Sequence, residues 1–358
     1  MTSRRDFLKS ILAVSLTPTL SWADAGSPSY LAAAKTQTGS FALFGLDEAA
    51  NIRFSIPLPT RGHAAAAHPT RPEAVAFARR PGTYAIVIDC STGNQIARLT
   101  APEGRHFYGH GCFSSDGETL FTTENAYETG DGMIGIWDRG AGYQRIGEIT
   151  SGGIGPHEIR RLPNTETLVV ANGGIKTDPA MARMKLNLDT MRPNLSYISP
   201  DGAVIEQVTL GDELAQNSIR HIAINADGLV GMAMQWQGPK TETPPLLALH
   251  RLGENPAILA AAPSEHRRLK GYAGSIAISG DAIAITSPRG GRAHIFDLGN
   301  NQISRVIEQP DICGLAAHKD GFFATNGQGG MSIISAEGQI DLAQMPDLAW
   351  DNHAVAIG

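Results

Sequence analysis

Ser218 to Gly231 reads SIRHIAINADGLVG, and the chain runs on as MAMQ to Gln235. His221-Ile222-Ala223-Ile224 is a short β run, Asp227-Gly228 makes a tight turn, and LVGMAMQ returns as a second strand. The same phrase recurs along the chain, with a turn residue six positions after its start. His110 precedes Asp116-Gly117 and TLFTTEN, His157 precedes Pro163-Asn164 and TLVVANGG, and His63 precedes Pro69 and EAVAFAR. Ser275 and Gly314 begin copies that keep the turn, at Asp281 and at Asp320-Gly321, but lack the histidine. A last, truncated copy begins at His353 in DNHAVAIG.

Each complete unit continues with two more strands, such as MIGIWDR and QRIGEIT after His110. Four strands per unit, with starts at 63, 110, 157, 221, 275, 314 and 353, are the pattern of an all-β, seven-bladed β-propeller. The final copy supplies one strand only. SYLAAAK, SFALFGLD and NIRFSIPLP near the N-terminus supply the other three, a one-plus-three closure that removes free sheet edges. The longest unit, between His157 and His221, holds the polar, Met-rich segment KTDPAMARMKLNLDTMRPN, and this insertion, residues 175–193, is expected to form a long loop over one face. The 40 glycines, 21 prolines and 6% aromatic content agree with many tight turns and few helices.

Residues 26–358 therefore read as a single propeller domain, and residues 1–25 as a cleaved leader. Arg4-Arg5, then Phe7-Leu8-Lys9, a modest apolar run and Ala23-Asp24-Ala25 resemble a twin-arginine (Tat) signal, implying export of the folded protein to the bacterial periplasm. The apolar run is too short and too interrupted by Thr and Pro to make a stable membrane span. A net charge of -6 with no basic cluster along the exported part argues against nucleic acid or an anionic membrane as partner. Cys90, Cys112 and Cys313 permit at most one disulfide. There is no CxxCH for haem, no CxxC pair, and no Walker loop or dinucleotide fingerprint for a nucleotide.

The first strand of a blade lies beside the central channel, so the seven starts should ring one channel mouth. Five of the seven are His63, His110, His157, His221 and His353, in a chain with only 11 histidines. Converging imidazoles suit a transition metal (iron, copper or zinc), and they equally suit a small anion where they are protonated. Second-strand ends on the same face add Glu124-Asn125, Asn172, Gln235-Trp236, Arg289 and Asn326, of which Glu124 is expected to complete the metal site. The carboxylates of Glu158, next to His157, and of Asp351, in Trp350-Asp351 before His353, could complete a metal site or orient imidazoles as acceptors. His68 and His318 belong near turns on the opposite face, His106 lies in the loop before His110, and Cys112 reads as a small buried apolar residue. HEIRR at His157 is not a zincin motif, since Arg161 holds its fifth position.

Taken together, the leader, GHAAAAHPTRPEAVAFARRPG and GHGCFSSDGETLFTTEN resemble an uncharacterised, domain-of-unknown-function family of Tat-exported periplasmic proteins. The resemblance covers essentially the whole exported chain. Members of that family are often encoded beside imelysin-like iron-uptake proteins, which implies a role in periplasmic iron acquisition with such proteins as partners. The family carries no established catalytic residues. A monomeric metal-binding propeller ranks first, and a protein-binding scaffold, docking through the long insertion, second. Third comes a lactonase-like hydrolase using His110 or His157 with Glu124 as acid and base. With no recognised nucleophile motif, a non-enzymatic role is favoured.

Overall fold

The structure, a computed structural model, describes residues 19–79, 84–181 and 184–357. Seven four-stranded antiparallel sheets stand as blades around an axis, as the repeat implies. Their innermost strands, in order, are Gly62–Ala67, Arg105–Phe113, Pro156–Arg161, Asn217–Ile224, Ser275–Ser279, Ile312–His318 and Leu348–Ala356. Each packs against the next, and the last packs against the first, so the ring is closed. In the closing blade, Leu348–Ala356 pairs with Tyr30–Thr36, followed by Phe41–Leu46 and Ile52–Leu58. The one-plus-three closure is therefore as expected.

Burial falls off from the axis outward, and composition follows it. Middle strands are sandwiched between neighbouring blades and read as continuous apolar runs, as in the wholly buried Leu168–Asn172 (LVVAN). Outermost strands have one wet face and alternate, as in Gln144–Thr150 (QRIGEIT). The core lies between blades: Phe323, Tyr30 and Trp350 pack where the sixth blade meets the closing one. Tyr30 stacks on Phe323 at 4.3 Å between ring centroids. Each fully buried side chain of this size contributes about 1.5–3 kcal/mol.

Residues 1–18 of the expected leader lie outside the described residues. Trp22–Ala25 form one 3-10 turn. Its Trp22 indole N–H donates to the His68 carbonyl at 2.9 Å and packs with Leu31 and Leu43. Among the described residues no helix is long and apolar enough to cross a membrane. Cys90, Cys112 and Cys313 are all free thiols.

Candidate metal centre

The five histidines come together, but inside the channel rather than at its mouth. His110 is the sixth residue of its strand and His353 the sixth of its own. Their strands begin on one face and carry the imidazoles inward, where both are buried. A cavity of about 780 Å³ lies on one side and touches His63, His157 and His221. A smaller one of about 320 Å³ lies on the other side and touches His110, His221 and His353. The imidazoles form the partition between the two.

Backbone irregularity aims them there. Pairing with the second strand slips between Gly62 and Ala65 around His63, between Phe107 and Gly111 before and at His110, and between Pro156 and Glu158 at His157. It slips again between Ile219 and His221, and in the closing strand between Trp350 and Ala354, around His353. A β-bulge inserts unpaired residues and re-aims a side chain, which is how a strand that should alternate can present an imidazole to the axis. The Ser275 strand, with no histidine, pairs regularly throughout. Gly314 sits in a bulge but has no room for a side chain: a Cβ there would lie 2.7 Å from Thr325 Oγ1 and 2.8 Å from the Ala354 nitrogen.

Within the cluster, His110 Nε2 lies 3.2 Å from His63 Nε2. Ring centroids of His157 and His221 are 4.8 Å apart, and those of His221 and His353 are 4.6 Å apart. Two triads, His63–His110–His157 and His110–His221–His353, each place one nitrogen per residue within 4.8 Å of the others. Tetrahedral ligands at the usual zinc–imidazole distance stand roughly 3.4 Å apart, so the His63–His110 contact is already close to a coordination edge. His63 Nδ1, His157 Nδ1 and His353 Nε2 are buried with no hydrogen-bond partner among the described residues.

Burial keeps the His63, His110, His157 and His353 rings neutral, with basic lone pairs available. Burial holds His110 down to about 3, with the neighbouring His221 and Arg160 adding to it against the pull of Glu158. His63, His157 and His353 are held well below the usual imidazole range by burial, by one another and by Arg79 or Arg220. His221 Nδ1 donates to Glu158 Oε2 at 3.1 Å, which fixes the orientation of its ring. Burial works against the Glu158 carboxylate, but the Arg160 charge and the His221 hydrogen bond prevail and hold it well below its usual range. Arg160 Nε donates to its other oxygen at 2.9 Å.

Glu124 is not part of this group. Its carboxylate runs along the blade over Gly135, where a Cβ would meet it at 2.0 Å, and takes two bonds from Arg145, at 2.7 and 2.9 Å. Thr122 donates a third, and burial still pushes the Glu124 carboxyl up. The carboxylate beside the imidazoles is Glu158, so the expected pairing of Glu124 with His110 or His157 does not form. Asn125 donates to the Thr177 carbonyl, Asn172 binds Ser151, and Asn326 accepts from the amides of Gln328 and Gly330. These three serve loops. His68 accepts turn amides from Thr70 and Arg71, and His318 accepts from Asp320, the structural roles expected of them. Cys112 packs beside Phe121 and Ile159 at the edge of the smaller cavity.

Residues 56–357 match the family described as "Protein of unknown function (DUF1513)". The chain belongs to this family. No curated protein matches the sequence. Among solved structures, it is similar to a chain of Kuenenia stuttgartiensis hydrazine synthase, with a TM-score of 0.60 and 13% identity over 87% of this chain and 91% of that one. It is also similar to a chain in a structure titled "Crystal Structure of Mitotic Checkpoint Complex", with a TM-score of 0.56 and 10% identity over 79% of both. Identities this low speak for the propeller fold alone.

Proposed function

We propose that this DUF1513 member is a transition-metal-binding propeller that works in the bacterial periplasm after Tat export, in iron acquisition or metal trafficking. The observation that carries the metal reading is the five-imidazole partition, with three of its buried ring nitrogens unpartnered. Each such nitrogen costs about 1–3 kcal/mol when left unpaired, and a bound cation would remove that cost. An all-imidazole donor set with a carboxylate behind His221 suits iron, copper or zinc more than magnesium or calcium, which prefer oxygen. The paired arginines of the leader and the family resemblance support the export and iron-uptake setting.

The insertion favours this reading over a docking arm. Asn187 accepts from the Lys176 amide and donates to the Gly174 carbonyl, and Lys176 Nζ reaches the Thr129 carbonyl at 3.0 Å. The segment thus folds onto its own propeller and walls the larger cavity through Ile175, Thr177 and Lys185.

Elemental analysis of the full chain, expressed with its leader and purified without chelator, tests the proposal. Near-stoichiometric iron, copper or zinc is expected, and its loss in His110→Ala, since His110 belongs to both triads. Protein that takes up none of the three at micromolar supply would overturn it.

A further inference from the structure

The larger cavity has a charge opposite to that of the chain. The protein is acidic, with 35 Asp and Glu against 29 Lys and Arg. Yet seven Lys and Arg side chains line this cavity against a single carboxylate, Glu242. They come from separate parts of the chain: Arg79 follows a second strand, Lys185 sits in the insertion, Arg220 lies in the inner strand Asn217–Ile224, and Arg289 follows another second strand.

Two of these charges, Lys185 and Arg289, lack a carboxylate partner among the described residues. Arg79 binds Asp351 at 3.0 Å. Lys185 instead meets the Gln237 side-chain oxygen, and Arg289 lies 4.2 Å above the Tyr272 ring. Burial, then the Arg220 and Arg289 charges, hold the Lys185 ammonium below its usual range. Like charges gathered in a concavity repel one another, and a low-dielectric wall focuses their field on whatever enters.

We infer that this vestibule binds a small organic polyanion, a molecule with two or more carboxylate or phosphate groups, directly above the imidazole partition. Its volume of about 780 Å³ is in the range of small-molecule sites. Guanidinium groups offer forked donors that match carboxylate and phosphate oxygens, and Trp236 and Tyr272 supply apolar walls for a carbon skeleton. Because His63, His157 and His221 form its floor, the anion would sit where it can pass on or hold a metal bound to the imidazoles. The anion site itself needs no metal, since every cation invoked belongs to the chain.

Calorimetric titration of the full chain in metal-free buffer, with citrate, pyrophosphate and acetate as separate probes, tests the inference. Citrate or pyrophosphate, or both, should bind at least tenfold more tightly than acetate, and whichever binds assigns carboxylate or phosphate as the group recognised. Lys185→Glu with Arg289→Glu, both at exposed side chains, should weaken that binding tenfold or more while leaving the melting temperature near wild type. No binding of either polyanion below millimolar concentration, acetate binding as tightly, or undiminished binding by the double variant overturns it. Metal content is measured separately, so failure of this site and failure of the metal reading are told apart.

Discussion

At Gly109 a side chain and a neighbouring imidazole compete for one space. The residue has φ +99°, and a Cβ there would lie 2.5 Å from His63 Cδ2. Gly109→Ala thus adds left-handed strain and a clash inside the partition, costing about 2–4 kcal/mol. The expected outcome is a lower melting temperature together with lost metal uptake, because His63 must move. Glu158 acts differently, since it holds His221 in place without reaching the centre itself. Glu158→Gln keeps the shape but weakens the acceptor, so metal affinity should fall about 10–100-fold. A competition titration against a chromophoric chelator measures this. Unchanged affinity would reduce Glu158 to a structural acceptor for Arg160 and the Ile222 amide.

Blades are joined by polar clamps as well as apolar cores, and one of them makes stability depend on pH. Glu73, on a second strand, accepts from Arg139 at 2.6 Å and from the Tyr143 hydroxyl at 2.5 Å, both in the next blade. Burial opposes its charge, yet these partners prevail and hold the carboxyl below its ordinary 4.5. A carboxyl depressed in the folded state stabilises above its unfolded value, and that stability is lost as pH falls through the folded one. Glu73→Gln should therefore cost about 1–2 kcal/mol at pH 7, with a melting temperature lower by roughly 1–3 °C. The gap between variant and wild type should close as pH drops below about 4.5, and a gap that persists there would show the clamp is not ionic. This clamp was not legible in sequence, because nothing local ties Glu73 to residues 66 and 70 positions onward. The blades were legible, because a turn residue (Asp, or Pro at 69 and 163) recurs at a fixed distance from the inner-strand starts. The shared imidazole register was legible for the same reason. Its depth in the channel was not, since that depends on bulges that insert residues before or at the histidines. Glu124 misled because the pleat turns it along the blade to Arg145, and a strand-end position does not reveal which way a side chain faces. The cationic vestibule was legible only in part: Arg289 and Trp236 stood among the second-strand ends on this face, but Lys185 and Arg220 come from neighbouring blades and meet only when those blades pack.

Closure is the whole-molecule problem of a propeller, and here it depends on one buried carboxylate. Asp351, 4% exposed, lies in the bulge of the closing strand just before Asn352-His353. Arg61 bonds it through Nε at 2.7 Å and Nη2 at 3.0 Å, and Arg79 binds the same carboxylate at 3.0 Å. Both arginines flank the first blade's inner half, so the last strand is tied across the seam to the first blade as well as to Tyr30–Thr36. Asp351→Asn keeps the shape but leaves two guanidinium groups against a neutral amide. Removing one partner of a buried pair typically costs about 3–5 kcal/mol, and the half-exposed Arg61 brings the expectation down to about 2–4 kcal/mol. The urea midpoint should fall accordingly, with little change in slope if the blades still unfold together. The same substitution releases Arg79 towards the vestibule, so citrate, if it binds there, should bind more tightly even as the fold weakens. A variant that loses stability and citrate binding together would instead mean that the closing strand has come away, leaving Tyr30–Thr36 as an open edge and the protein prone to aggregate.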